Sequence, residues 1–293
     1  MQRSFRRKME VYTLKNGVEI PCLGFGTYKT TVNGDSSSIK LAIEAGYRYF
    51  DTASFYNTEE ALGTAVKESG ISRKEFFLVS KLWKTEMGYE ETKKALTSSL
   101  ERLQTDYLDG YLIHWPRSSE QADWKGECLA TWRALEEAYE AGRVRAIGCS
   151  NFLPHHLDWI LKNCRIQPMM NQLELHPGYM QLEAVRYCKE HDIVLQAWSP
   201  LGRLRVMDNK LIGELAAKYQ VSKAQICLRF LYQQNIIPIP KASSLERMRE
   251  NQDIFSFEIE QEDMYRLLCM PQCGWSKEYP DPELAEKINT AVV

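Results

Sequence analysis

Eight short apolar runs of β-forming residues recur along the chain, each followed by a stretch of helical period. This alternation constrains the fold more than any other feature. The runs are CLGF (22–25), YRYF (47–50), FFLVS (76–80), YLDGYLI (107–113), VRAIGC (144–149), MMNQL (169–173), IVLQAW (193–198) and IIPIP (236–240). Between them Leu96, Leu100 and Leu103 return on one helical face, as do Leu211, Leu215 and Tyr219, the pattern of an outer helix covering a sheet. Parallel strands need such crossovers, and this many units in about 250 residues fit an α/β fold of the (β/α)8 TIM-barrel type.

Local signals refine this picture. Ser222-Lys-Ala-Gln225 and Ser243-Ser-Leu-Glu246 have the form of capping boxes, predicting helix starts with Ser222 and Ser243 at the N-caps. Ahead of the first run, β-rich residues flank Asn16-Gly17, which predicts a hairpin with both turn residues at positive φ. No linker, repeat or low-complexity tract interrupts the chain, so residues 1–293 read as one domain. A doubly wound fold would need a glycine fingerprint between strand and helix. Gly24-Phe25-Gly26-Thr27-Tyr28-Lys29 lacks the third glycine, and no helix opens from it. Walker, HExxH and GxSxG motifs are missing too, which removes common nucleotidase and hydrolase readings.

Composition narrows the partners. With 44% hydrophobic and 26% charged residues the chain can bury a large core, which excludes disorder and fibrous folds. Thirty-seven Lys and Arg against 39 Asp and Glu give a net charge of −2, so no global field attracts nucleic acid or an anionic membrane. Arg3, Arg6, Arg7 and Lys8 form one basic run, read as a solvated terminus. No apolar stretch reaches the ~18 residues of a membrane helix and no signal-peptide core follows Lys8, so a cytoplasmic protein is expected. The eight cysteines form no Cys-x-x-Cys pair, which argues against a zinc site or other metal centre; Cys269 and Cys273 are spaced closely enough to meet.

In a barrel of this kind, chemistry gathers at the C-terminal ends of the strands. Seven of the eight runs end in or contain a polar group there: Asp51, Lys81, His114, Ser150 with Asn151, Gln172, Trp198-Ser199 and Lys241. Each has an ordinary structural reading: Asp51 as a turn or cap residue, Lys81 as a rim charge, His114 as a packed histidine, Tyr56 as a core aromatic. Their joint placement around one mouth favours a site.

The chain resembles the aldo-keto reductases over essentially its whole length. Six segments match that family's motifs in order: GYRYFDTASFYNTEEALG (46–63), VSKLW (79–83), YLIHWP (111–116), AIGCSNF (146–152), NQLELHP (171–177) and IPIPKASSLERMRENQ (237–252). The resemblance implies a barrel closed at the bottom by the hairpin, a C-terminal tail over the mouth, NADPH (NADH possibly accepted) as cofactor and a small carbonyl compound as substrate, in a monomer. It implies a catalytic set of Asp51, Tyr56, Lys81 and His114. Tyr56 would protonate the carbonyl oxygen, the Lys81–Asp51 pair would lower its pKa, and His114 would orient the substrate. Ser150, Asn151 and Gln172 match the positions that hold the nicotinamide carboxamide, and Trp198 the aromatic stacked on the ring, more often tyrosine. Thr27, Ser199 and Leu201 fall on the cofactor side. Lys241, Ser243 and Arg247 match positions around the adenosine 2′-phosphate, and Glu250 and Asn251 those near adenine. Tyr28, Phe55, Trp83 and Trp115 match pocket-lining positions, and Trp275 joins them if the tail crosses the mouth.

Several residues depart from the family pattern. Ala242 replaces the usual Ser or Thr after Lys241, which weakens the expected preference for NADPH. Tyr49 replaces a small residue or histidine, Thr58 stands where Asn is common, and Cys149 replaces an aliphatic residue. The segments around 117–126 and 201–208 are short, leaving an open pocket suited to moderately hydrophobic aldehydes or ketones. Two other readings are set against a reductase: an NADPH-binding redox sensor or channel-associated subunit on the same barrel, and a barrel lyase using Lys81 as a Schiff base, which would need a lysine not paired with Asp51.

Overall fold

The computed structural model describes residues 10–31, 34–119 and 123–281. The basic run at Arg3 to Lys8 lies outside them. Strands β1 (Val11–Thr13) and β2 (Glu19–Pro21) form the antiparallel hairpin. Its turn differs from the expected type. Gly17 alone has positive φ (82°) and Asn16 does not; the Gly17 N–H bonds the Leu14 carbonyl at 2.8 Å and the Leu14 N–H bonds the Val18 carbonyl at 2.9 Å. The longer loop lets the Asn16 side chain accept from the Val18 N–H at 3.2 Å, so a single left-handed residue suffices.

All eight predicted runs become strands of one parallel sheet: β3 (Phe25–Gly26), β4 (Tyr49–Asp51), β5 (Phe77–Leu82), β6 (Gly110–Ile113), β7 (Ile147–Ser150), β8 (Met170–Glu174), β9 (Val194–Trp198) and β10 (Ile236–Pro238). Neighbours in sequence are neighbours in space. Bonds from the Gly24 N–H to the Pro238 carbonyl and from the Gly26 N–H to the Pro240 carbonyl, both 3.0 Å, join first to last and close the barrel. Gly24 is required at this seam, because a Cβ there would lie 2.9 Å from the buried Tyr49 ring.

The crossovers are helices α1 (Ser37–Ala45), α2 (Glu59–Glu68), α3 (Tyr89–Leu103), α4 (Trp124–Glu140), α5 (Pro154–Asn163) and α6 (Leu182–Glu190), then the pair α7 (Lys210–Tyr219) and α8 (Lys223–Gln233) between β9 and β10. Helices α9 (Leu245–Gln252) and α10 (Gln261–Leu268) follow β10. Leu96, Leu100 and Leu103 are buried on α3 as their spacing requires. Of the second predicted stripe Leu215 is buried, while Leu211 and Tyr219 are partly covered, because α7 is an added helix packed on α8. The Ser222 capping box forms on both sides, with bonds of 3.2 and 2.9 Å to and from Gln225. The second cap is displaced by one residue: Ser244, not Ser243, is the N-cap of α9, its hydroxyl accepting from the Arg247 N–H.

The hairpin tip bonds residues that precede strands: Asn16 donates to the Arg145 carbonyl at 2.9 Å and Lys15 to the His191 carbonyl at 3.1 Å. It therefore plugs the bottom of the barrel. The tail lies at the opposite end. Trp275 stacks on Tyr179 with centroids 5.4 Å apart, Ser276 donates to Glu174 at the end of β8, and Asp281 reaches Arg117, His155 and His156 beyond β6 and β7. The tail thus spans the mouth. Inside, Phe25 packs edge-on against Tyr47 and Phe50, and truncating such a ring costs about 3–5 kcal/mol.

Candidate active site

Three strands and one turn bring the proposed tetrad together at the mouth. Asp51 ends β4, Lys81 lies in β5, His114 follows β6, and Tyr56 closes a short 3-10 turn, Ser54–Tyr56. Lys81 is wholly buried, a position an ammonium tolerates only with partners. It donates to Asp51 Oδ1 at 2.6 Å, to the Thr52 carbonyl at 3.0 Å and to the Tyr56 hydroxyl at 3.5 Å. Burial lowers the Lys81 pKa from its ordinary value, and the Asp51 carboxylate opposes that shift. The Tyr56 hydroxyl also lies 3.4 Å from His114 Nε2. Burial, followed by Lys81 and Lys84, pushes His114 well below its ordinary value, so this imidazole is neutral at physiological pH.

Tyr56 behaves differently from the sequence expectation. Its pKa is raised well above the ordinary phenol value by burial first and by Asp51 next. The Lys81 ammonium does not reverse this, because its charge is largely answered by Asp51 at shorter range. The phenol consequently keeps its proton throughout the physiological range.

On the cofactor side the expected residues converge, and they are knitted to one another. Ser150 donates to the Gln172 carbonyl at 3.0 Å; Asn151 donates to the His114 carbonyl at 3.0 Å and accepts from the Trp198 indole N–H at 2.9 Å. Gln172 spends its amide hydrogens on Asp51 Oδ2 at 2.7 Å and Gln196 Oε1 at 2.9 Å. Asn151 and Ser199 hold left-handed φ values of 62° and 47°, strain of the kind that collects at functional sites. Thr27 is buried, and Leu201 precedes a segment of short 3-10 turns over Gly202–Asp208 that is kinked at Arg203 and Leu204. Around α9, Lys241, Ser243 and Arg247 are exposed, Glu250 is half-buried and Asn251 buried. Two cations and a hydroxyl at a helix start suit a phosphate. Ser243, not used as the cap, is free for that task, whereas Ala242 is packed into the core.

The aromatic pocket splits. Tyr28 lies 4.9 Å from Tyr56, Phe55 stacks on Trp83 at 3.9 Å, and Trp83 meets His114 edge-on at 5.0 Å. Trp115 is buried beneath Lys84, 4.8 Å from its ring. Trp275 stacks on Tyr179 instead of joining this cluster. The contacts of three further residues escaped the sequence reading, although Thr58 stood out there as a departure from the family pattern. Gln196 supports Gln172, Thr58 bridges two buried threonines, and Lys29 accepts Lys241 on its carbonyl at 2.7 Å. A glutamine inside the apolar run IVLQAW was the visible signal for Gln196.

Such an array, with a proton-bearing phenol between an ammonium and a neutral imidazole at a barrel mouth, can hold an oxygen atom and protonate it. The sequence profile described as Aldo/keto reductase family matches residues 23–268, and the chain belongs to that family. It is similar to glyoxal reductase of Bacillus subtilis (strain 168), 47% identical over 87% of this chain and 90% of that protein. It is also similar to 9,11-endoperoxide prostaglandin H2 reductase of Trypanosoma cruzi (strain CL Brener), 41% identical over 87% and 89%. Among solved structures, an aldo-keto reductase of Bombyx mori in complex with NADP matches with a TM-score of 0.82 at 33% identity, over 88% of this chain and 92% of that one. The chain is an enzyme of this class, and the pairing of Lys81 with Asp51 at 2.6 Å sets aside the lyase reading.

Proposed function

We propose that the protein reduces aldehydes and ketones to alcohols with NADPH, Tyr56 acting as the general acid, in a single catalytic domain that works as a monomer. The observation that carries this is the Tyr56 hydroxyl lying within 3.5 Å of both Lys81 Nζ and His114 Nε2. When bound, the reduced nicotinamide supplies hydride to the carbonyl carbon. The protein's own groups handle the oxygen. The neutral His114 and the Tyr56 phenol hold it by hydrogen bonds. A raised phenol pKa does not prevent the transfer, because the alkoxide formed by reduction is a far stronger base than a phenolate. Lys81, fixed by Asp51 and the Thr52 carbonyl, then stabilises the phenolate left behind.

Ser150, Asn151 and Gln172 orient the carboxamide, with Trp198 as the stacking surface and Thr27, Ser199 and Leu201 beside it. Lys241, Ser243 and Arg247 receive the 2′-phosphate, with Glu250 and Asn251 toward adenine. Tyr28, Phe55, Trp83 and Trp115 enclose moderately hydrophobic carbonyl compounds, and the likeness to glyoxal reductase adds dicarbonyls to that class. All eight cysteines are free thiols, which supports a reducing, cytoplasmic location; among the described residues no helix is long and apolar enough to cross a membrane.

The test is NADPH oxidation followed optically against a panel of aldehydes and ketones. Tyr56→Phe should lower kcat by about 10²- to 10⁴-fold while leaving NADPH affinity nearly intact. Retention of more than about a tenth of the wild-type rate would remove Tyr56 from this role.

A further inference from the structure

We propose that Thr58 is a positioning residue for the reaction: its hydroxyl ties together the two threonines that hold the Asp51–Thr52 peptide and thereby aims the Lys81 ammonium at Tyr56. This rests on the reductase reading above.

Thr58 occupies the N-cap of α2, where a threonine hydroxyl ordinarily accepts from a helix N–H and contributes about 1 kcal/mol. Here it makes no capping bond. It turns inward and sits 2.8 Å from both Thr27 Oγ1 and Thr52 Oγ1. All three threonines are buried, with exposures of 0% for Thr27 and Thr52 and 1% for Thr58. Thr27 continues the chain by donating to the Asp51 carbonyl at 3.0 Å.

This relay fixes the Asp51–Thr52 peptide, through the Asp51 carbonyl at one end and the Thr52 hydroxyl at the other. The consequence for catalysis runs through the Thr52 carbonyl, which accepts from Lys81 Nζ at 3.0 Å. An ammonium has three hydrogens. Asp51 Oδ1 and the Thr52 carbonyl take two firmly, so their positions dictate where the third points, and it points at the Tyr56 hydroxyl 3.5 Å away. Thr27 and Thr52 are the two hydroxyls that Thr58 joins in this chain. Thr58 touches neither Tyr56 nor Lys81 directly, so its effect is on orientation.

The isosteric Thr58→Val keeps the shape and removes the relay, whereas Thr58→Ser keeps the hydroxyl. Thr58→Val is expected to lower kcat about tenfold with KM and NADPH affinity unchanged. Its solvent isotope effect on kcat should rise, since a misaimed ammonium makes proton transfer more rate-limiting. Thr58→Ser should restore both to near wild type. Thr52→Val interrupts the same relay from its far end and should reproduce the loss, which keeps the proposal testable if the Thr58 variant folds poorly. A Thr58→Val enzyme with at least half the wild-type kcat, an unchanged solvent isotope effect, or a loss that serine does not rescue overturns the proposal. Each of these is read against an active wild type; a wild type that oxidises no NADPH with any carbonyl would instead refute the reductase reading.

Discussion

Gln172 donates to Asp51 Oδ2 at 2.7 Å while Lys81 holds Oδ1 at 2.6 Å, so the carboxylate of the proposed tetrad is gripped from two strands. The amide of Gln172 is therefore as much a support for Asp51 as a contact for the cofactor. Replacing it by Met leaves a buried carboxylate oxygen without a donor, a loss of about 1–3 kcal/mol. Gln172→Met should show that loss in chemical denaturation and reduce kcat as well as cofactor affinity. A variant that loses cofactor affinity alone would show that the Asp51 contact is incidental.

Asp51 and Lys81 are themselves coupled. Removing either leaves the other as a buried unpaired charge, which costs about 3–5 kcal/mol, whereas removing both leaves neither. Asp51→Asn and Lys81→Met should each lower stability and activity, and the double variant should cost less stability than the sum of the two. Denaturation of all four proteins measures this, and strict additivity would show that the pair is not a unit.

Much of this site was legible before any coordinates. The eight apolar runs, the polar residues at seven of them and the ordered motifs located Asp51, Lys81, His114 and Gln172 at one mouth. What escaped was set by side-chain direction. The capping box at Ser243 has the right residue spacing, but two adjacent serines offer two registers, and the backbone selects Ser244. Trp275 is separated from its strand by a long tail, so no periodicity could fix that it stacks on Tyr179. The raised Tyr56 pKa depends on burial outweighing a nearby ammonium, a balance that composition does not carry.

Acid sensitivity follows from the buried histidines. Burial lowers the pKa of His114, His156 and His176 from the ordinary value, so the unfolded chain binds protons more readily than the folded one between the folded values and about 6.5. Stability should then rise with pH through that window and fall on acidification, by up to about 1.4 kcal/mol per pH unit for each fully shifted group. Denaturation midpoints from pH 8 down to about 5 test this, and His114→Gln should flatten the slope. A slope unchanged by that substitution would place the acid sensitivity elsewhere.

The tail is held by a carboxylate receptor. Asp281 lies 3.2 Å from Arg117, 3.2 Å from His155 and 3.1 Å from His156. His156 Nδ1 accepts from the Leu153 N–H at 3.1 Å, so its Nε2 carries the proton and is close to Asp281 without a well-formed hydrogen bond to it, which does not suit a metal ligand. Releasing Asp281 should loosen residues 271–281, including half-buried Cys273 against Pro177. Asp281→Ala should therefore speed thiol modification of Cys273 severalfold with Cys269, already exposed, unchanged. Added zinc should leave wild-type labelling of Cys273 unaltered; slower labelling with zinc would point to metal binding at the cluster.

Cofactor preference should be set at the start of α9. Arg247 is exposed on its first turn and Lys241 stands ahead of it, bonded to the Lys29 carbonyl at 2.7 Å, which brings a third cation into the same corner. The adenosine 2′-phosphate carries up to about two negative charges near neutrality, and each charge-assisted hydrogen bond to it contributes about 1.5–3 kcal/mol. Two such bonds favour NADPH over NADH by on the order of 10² in kcat/KM, reduced by screening because both cations face solvent. Ser243 adds a donor that the buried Ala242 does not. Arg247→Ala should lower kcat/KM for NADPH by about tenfold or more, chiefly through KM, with NADH barely changed. Ser243→Ala should do the same more weakly. Measuring both cofactors with one aldehyde across wild type and the two variants decides it: an Arg247 effect equal for NADPH and NADH would mean that this helix start does not recognise the phosphate.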